Sequence, residues 1–249
     1  MASAAAGAIL VLFFSAGLRT PMLALLSLRR LRNLALVVLP YGPGLVLVAL
    51  LGPSLGEADR AGLLAVAVAP ALLSAPALAT AMGGRRDRAG ALLVGTIAAS
   101  FVLALARAGA TSGTMQNAML AFVVGAGVTS IVPMLPAIAR TAAQRLGDIG
   151  FVVLLGVAVV GGPSLDAAGA LAALALFGAT AGAAALLAQV TGTDLRSAIA
   201  GAGTRDPAVA TALALALGGP AATGVPLYST ALLLVLGAAF VAMNRRKAR

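Results

Sequence analysis

Nine apolar runs dominate this chain and leave almost no polar stretch from which a water-facing surface could be built. A helix rises about 1.5 Å per residue, so roughly 20 apolar residues match a hydrocarbon core of about 30 Å. The runs fall at about 3 to 18, 33 to 52, 61 to 83, 89 to 107, 117 to 139, 148 to 163, 166 to 190, 194 to 218 and 221 to 243, the first and sixth being short. Only 10% of the 249 residues are charged and 61% are apolar, with a mean hydropathy of +1.07. The expected fold is therefore an all-α membrane protein, a polytopic helical bundle forming one membrane domain over 1–249. No basic residue precedes the run at 3 to 18, so it reads as a span and not as a secretory leader.

The charges test this count. With the N-terminus outside, Arg19, Arg29, Arg30 and Arg32 fall in the first inner loop, Arg85, Arg86 and Arg88 in the second, and Arg140 and Arg145 in the third. Arg196 lies near the fourth, and Arg245, Arg246, Lys247 and Arg249 form a basic cytoplasmic tail at 244–249. That places 14 of the 17 basic residues inside, as the positive-inside rule asks, in the manner of a bacterial-type inner membrane. Topology thus accounts for the net charge of +10, and no nucleic-acid partner is expected. Residues 20 to 32, TPMLALLSLRRLR, bring leucines to one stripe beside clustered arginines and read as a connector along the inner lipid surface.

Two runs share a local pattern. Ala75-Pro76-Ala77-Leu78-Ala79-Thr80-Ala81 matches Asp206-Pro207-Ala208-Val209-Ala210-Thr211-Ala212 at five of seven positions, with Leu opposite Val at a sixth. The two are offset by five spans, so they cross the bilayer in opposite senses. That predicts two inverted repeats, the first over about 1–107 with four helices and the second over about 117–243 with five. Proline removes a backbone donor and clashes with the preceding turn, so each helix is expected to break just before Pro76 or Pro207. Each proline would then begin a second half-helix whose positive end faces the other break.

Phe14-Ser15-Ala16-Gly17-Leu18-Arg19-Thr20-Pro21, followed by Leu25-Leu26-Ser27-Leu28-Arg29-Arg30, resembles the FxxGL segment and basic stretch near the start of the bile acid:sodium symporter (BASS) family. Ala69-Pro70 through Gly83-Gly84 is similar to that family's first crossing helix, and Arg196 through Leu217 to its second. Family members usually have ten helices, so nine would mean that the first helix of repeat one is missing. The resemblance implies a core of spans two, three, four, seven, eight and nine and a panel of spans one, five and six, with substrate carried between them by alternating access. Sodium-coupled members have Ser-Asn after the first Pro-Gly-Gly and a Glu-x-Gly-x-Gln-Asn run in the second crossing helix. In register, Ala75 and Pro76 stand at Ser-Asn, and Gly201, Gly203, Arg205 and Asp206 at Glu, Gly, Gln and Asn. A guanidinium among the would-be ligands opposes a cation, so the family's sodium sites are expected to be absent.

Arg205 and Asp206 are the only charged residues deep within a run. A charge near the bilayer centre costs at least about 2.5 to 3.5 kcal/mol on insertion scales, which makes both candidates for substrate or coupling-ion binding. Asp206 directly before Pro207 is also a good N-cap, and the alternatives to substrate contact for Arg205 are to neutralise Asp206 or to hold carbonyls freed by the break. Ser74, Pro76 and Thr80 around the first break, and Pro207 and Thr211 around the second, complete the candidate set. The sequence has neither Cys nor His, and it offers no Ser-base pair, paired carboxylates or phosphate-cradling loop. No enzyme, metal or cofactor is therefore expected. The reading is a secondary transporter of a small organic anion, with a proton at Asp206 favoured over sodium as coupling ion. A passive channel or facilitator and a non-transporting membrane scaffold are the alternatives.

Overall fold

The computed structural model describes residues 2–18, 31–108, 113–131 and 137–247, and these are helical with no strand among them. The α-helices are α1 Ala2–Leu18, α2 Leu31–Val38, α3 Tyr41–Leu51, α4 Glu57–Val68, α5 Ala75–Ala81, α6 Arg86–Ala108, α7 Gly113–Ile131, α8 Ala137–Val160, α9 Ala167–Thr191, α10 Leu195–Ala198, α11 Pro207–Gly218 and α12 Gly224–Lys247. Among the described residues, each of the nine apolar runs holds one helix or a pair in sequence. Two helical stretches, Asn33–Ser54 and Ala167–Thr191, are long and apolar enough to cross a membrane by length and composition. The expected connector at 20 to 32 lies outside the described residues as far as residue 30, as do Arg19, Arg29 and Arg30.

Two boundaries differ from expectation. The helix of the sixth run begins at Ala137 and not near 148, so Arg140 and Arg145 belong to α8 and not to a loop. Alanine and leucine between these charges favour helix strongly enough to carry it past the apolar run. The break in the third run also comes early. The chain leaves α4 at Ala69, which is extended (ψ 147°), and re-enters helix only at Ala75. Pro70 is the reason, since its ring disfavours the helical conformation of the residue before it. Pro76 is accordingly the second residue of α5 and does not cause the break. In the eighth run, α10 continues into a π-helical turn, Ile199–Gly203, and the chain extends at Thr204 before α11 starts at Pro207 as expected.

The two broken helices lie antiparallel across one another. Their breaks touch, because the Asp206 N–H donates to the Pro70 carbonyl at 2.8 Å. The end of the first also meets the start of the second, where the Arg85 N–H donates to Ser197 Oγ at 2.7 Å and the Ser197 hydroxyl in turn donates to the Arg85 carbonyl. Gly83 makes that junction possible: with φ +75° it closes α5 through bonds from Gly83 N–H to Thr80 O and from Gly84 N–H to Ala79 O, a turn that side-chain-bearing residues adopt reluctantly. Correspondingly, α4 packs on α11 and α5 on the π-helical turn.

The helices form two groups. α1 packs against α7 and α8, and this trio meets the remainder chiefly where α8 reaches α11. Leu12, Phe13, Phe122 and Leu154 are buried within the trio. Small residues set the α1–α7 distance: a Cβ on Gly17 would run into the Phe122 carbonyl, and one on Gly125 into the Phe14 carbonyl. The larger group, α2 to α6 with α9 to α12, packs Leu63, Val66, Leu176 and Val225 at its centre. Its outward residues are apolar too, including Leu50, Leu171, Leu186, Val190 and Leu234, each at least 65% exposed.

Candidate functional site

Breaking a helix frees backbone donors and acceptors, and when buried they need partners. At this crossing several of the freed groups find partners, on neighbouring elements or within the same turn. The Ala71 N–H donates to Thr96 Oγ1 of α6 at 3.1 Å, and the Thr96 hydroxyl donates onward to Leu93 O. On the other break, the Thr180 hydroxyl of α9 donates to the Gly203 carbonyl at 2.9 Å. The Thr204 N–H bonds Ile199 O, and its hydroxyl bonds Ala200 O.

Asp206 joins the two breaks. One carboxylate oxygen accepts the N–H groups of Ala208 and Val209, at 2.9 and 3.0 Å, as the N-cap of α11. The other accepts the Leu73 N–H from the first break at 2.8 Å. The positive end of α11 and a donor exposed by the first break, ahead of α5, therefore converge. The group they converge on is the chain's own carboxylate. Three N–H donors occupy three of the acceptor sites of this carboxylate and fix its orientation.

Arg205 points elsewhere. It is 4% exposed, its Nε and both terminal nitrogens have no hydrogen-bond partner among the described residues, and no ion pair to Asp206 forms. The guanidinium carbon sits 3.9 Å from the centre of the Tyr41 ring. That ring is fixed in turn by its hydroxyl, which donates to Thr96 O at 2.8 Å. A desolvated cation over an aromatic face is worth about 2 kcal/mol, less than the several kcal/mol it costs to strip water from a guanidinium. Among the described residues Arg205 is thus a buried positive charge with no ion pair, inside the larger helix group.

A cavity of about 150 Å³ opens where the two helix groups meet. α1 contributes Leu12 and Ser15, the first break Leu72 to Ser74, α8 Gly147, Asp148 and Phe151, and the second break Asp206 to Ala208. Of the expected site residues, Ser74, Asp206 and Pro207 line it, while Arg205, Pro76, Thr80 and Thr211 do not. Thr80 and Thr211 occupy equivalent places and behave alike: each hydroxyl donates to the carbonyl of the proline four residues back, Pro76 at 2.9 Å and Pro207 at 2.7 Å. Their hydroxyls are spent on helix backbone. Ser74 stands at the N-cap position of α5, is exposed, and makes no side-chain cap bond.

Tyr41, Ser15 and Asp148 were not foreseen. Tyr41 is one of only two tyrosines and sits inside an apolar run next to Pro40, a signal that was available. Asp148 reads as a helix-edge charge until α8 is found to begin eleven residues earlier. The sequence matches no protein-family model and no curated protein.

Proposed function

We propose that this chain is a secondary membrane transporter of a small organic anion. It works by alternating access, with α1, α7 and α8 as a panel that moves against the remaining helices. The observation that carries this reading is the antiparallel crossing of two broken helices that encloses Arg205, a buried guanidinium with no hydrogen-bond or ion-pair partner among the described residues. Broken helices are tolerated within a bilayer where they line a cavity, and a charge left unpaired in such a place recruits an opposite one. The apolar exterior favours lipid as the surrounding medium, with the N-terminus outside and the C-terminus cytoplasmic. The two helix groups correspond to the panel and core that the resemblance implies, and this supports a divergent, nine-span member of the bile acid:sodium symporter family built from two inverted repeats.

Sodium has little to bind at the crossing, where Gly201 offers no side chain and Arg205 places a positive charge, so the coupling ion is a proton. The test is uptake of labelled small carboxylates into proteoliposomes under a sodium or a proton gradient, for the native chain and for Arg205→Gln. Carboxylate uptake that needs Arg205 and a pH gradient supports the reading. Uptake driven by sodium, or unchanged in Arg205→Gln, rejects it.

A second reading has its own observation. The described residues lining the cavity include two carboxylates, Asp148 and Asp206, and no basic side chain. That favours a facilitator for a small cation. Cation uptake that is lost in Asp148→Asn and indifferent to Arg205→Gln would select it over the anion carrier.

A further inference from the structure

Away from the crossing, two carboxylates meet at the opposite end of α4. Asp59, in the first turn of α4 and ahead of the apolar run that begins at 61, is 4% exposed, and its Oδ1 has no hydrogen-bond partner among the described residues. Asp166 caps α9 by accepting the Gly169 N–H at 2.6 Å. A Cβ built on Gly169 would lie 3.1 Å from Asp166 Oδ1 and 3.3 Å from Asp59 Oδ1. Both oxygens therefore face one small space that only glycine leaves open. Two ionised carboxylates in such a space repel, and a buried carboxylate oxygen with no donor is costly.

We propose that Asp59 and Asp166 form a proton-binding site that clasps the start of α4 to the start of α9. One proton shared between them turns repulsion into a carboxyl-to-carboxylate hydrogen bond. Asp59 carries it, because its Oδ1 has no donor while Asp166 Oδ1 already accepts the Gly169 N–H. Among the described side chains, no other charge faces the pair. On α4 itself, Glu57 is exposed, and the Arg60 side chain lies along Gly52, with Nε 3.4 Å from the position of a Gly52 Cβ. Around α4, the turn at 220–223 and α11 have no titratable side chain, α12 presents Tyr228, and α3 has Tyr41 at the far crossing. α6 carries Arg86, Asp87 and Arg88 at its start, next to the Arg85–Ser197 junction at the opposite end, and the side chain of its Arg107 lies outside the described residues. Ser164 offers a hydroxyl that favours the charged form of Asp59. Burial first, and the Asp166 charge second, push the Asp59 carboxyl above the ordinary carboxylate range.

The sign of the consequence is fixed. A group whose pKa is raised on folding binds its proton more tightly in the folded chain. Its stabilising contribution is complete below the ordinary carboxylate pKa and is lost as pH rises through the raised one. Helical circular dichroism melts of the purified full chain in detergent, from acid to alkaline pH, read this directly. The native chain is expected to lose Tm with rising pH relative to Asp59→Asn, whose neutral amide mimics the protonated acid and removes the titration. Asp166→Asn, which keeps an N-capping oxygen and removes the neighbouring charge, should flatten the profile only in part, because Asp59 stays buried and still titrates. An infrared band of a protonated carboxyl that persists at neutral pH in the native chain and disappears in Asp59→Asn gives the same answer without comparing stabilities. Parallel pH profiles in all three proteins overturn the proposal. So does a Tm raised by sodium or calcium at alkaline pH in the native chain alone, which would put a metal ion in the proton's place. No substrate enters these measurements, so their failure leaves the transport reading standing.

Discussion

Substitution of Asp206 separates its two sets of hydrogen bonds, because asparagine can keep one set and not the other. In Asp206→Asn the amide oxygen still caps α11, while the NH2 group is set against the Leu73 N–H and the bridge between the breaks is lost. Asp206→Ala loses both. The expected costs are about 1 to 2 kcal/mol for Asn and about 2 to 4 kcal/mol for Ala, read as losses of Tm in detergent. Equal costs for the two would show that the bridge to Leu73 carries no energy. Arg205 should behave in the opposite sense. Arg205→Met keeps the packing against Tyr41 and removes an uncompensated charge, so in anion-free buffer it is expected to gain about 1 to 3 kcal/mol. A loss of stability would mean that the guanidinium already has a partner. The sequence singled out both residues by their depth in an apolar run. It did not separate their roles, because neighbours along a chain leaving a helix break can point to opposite sides of it, and Asp206 turned to the backbone donors while Arg205 turned to Tyr41.

The elements of the crossing depend on a few positions where backbone geometry decides. Gly83 takes a left-handed conformation that links α5 to the start of α10, so Gly83→Ala should cost about 1 kcal/mol, checked by the same melts. A cost near zero would show that this loop relaxes freely. The close pair α1 and α7 is more sensitive to volume. Gly17→Ala or Gly125→Ala drives a methyl into a backbone carbonyl, which cannot move aside as a side chain would, and each should cost about 1 to 3 kcal/mol. The position of the first break is a different lesson. Pro70 and Pro76 are both in the sequence, and the repeat with Pro207 drew attention to the wrong one. Proline acts on the residue before it when it ends a helix and is tolerated within the first turn when it starts one, and here Pro70 does the first and Pro76 the second.

For the whole molecule, the cavity lies between two groups of helices, and transport by their relative movement makes a demand that packing alone does not. The native chain has no cysteine, so Ser15→Cys on α1 and Ser74→Cys at the first break can be joined across the cavity by a short cleavable thiol reagent. Cross-linking is expected to stop uptake and cleavage to restore it. Uptake that continues through a fully linked protein argues for a static path. Single cysteines at Arg60 and Arg85, which flank the first broken helix, should label from opposite sides of a sealed membrane, and labelling from one side rejects the topology.

Composition and the run of apolar segments were enough to determine that the chain is helical and roughly where each helix lies, because hydrogen bonding within a helix is local and its length is set by consecutive residues. The Asp206 cap was legible for the same reason, since Asp-Pro acts on the next few backbone donors. What only the tertiary structure decided are contacts between residues distant in sequence: Leu73 with Asp206, Tyr41 with Arg205, and Asp59 with Asp166. Each depends on which faces of two helices meet. In an alanine- and glycine-rich chain the apolar pattern hardly distinguishes one face from another, so the partner of a buried charge is chosen by packing and not by the sequence around it.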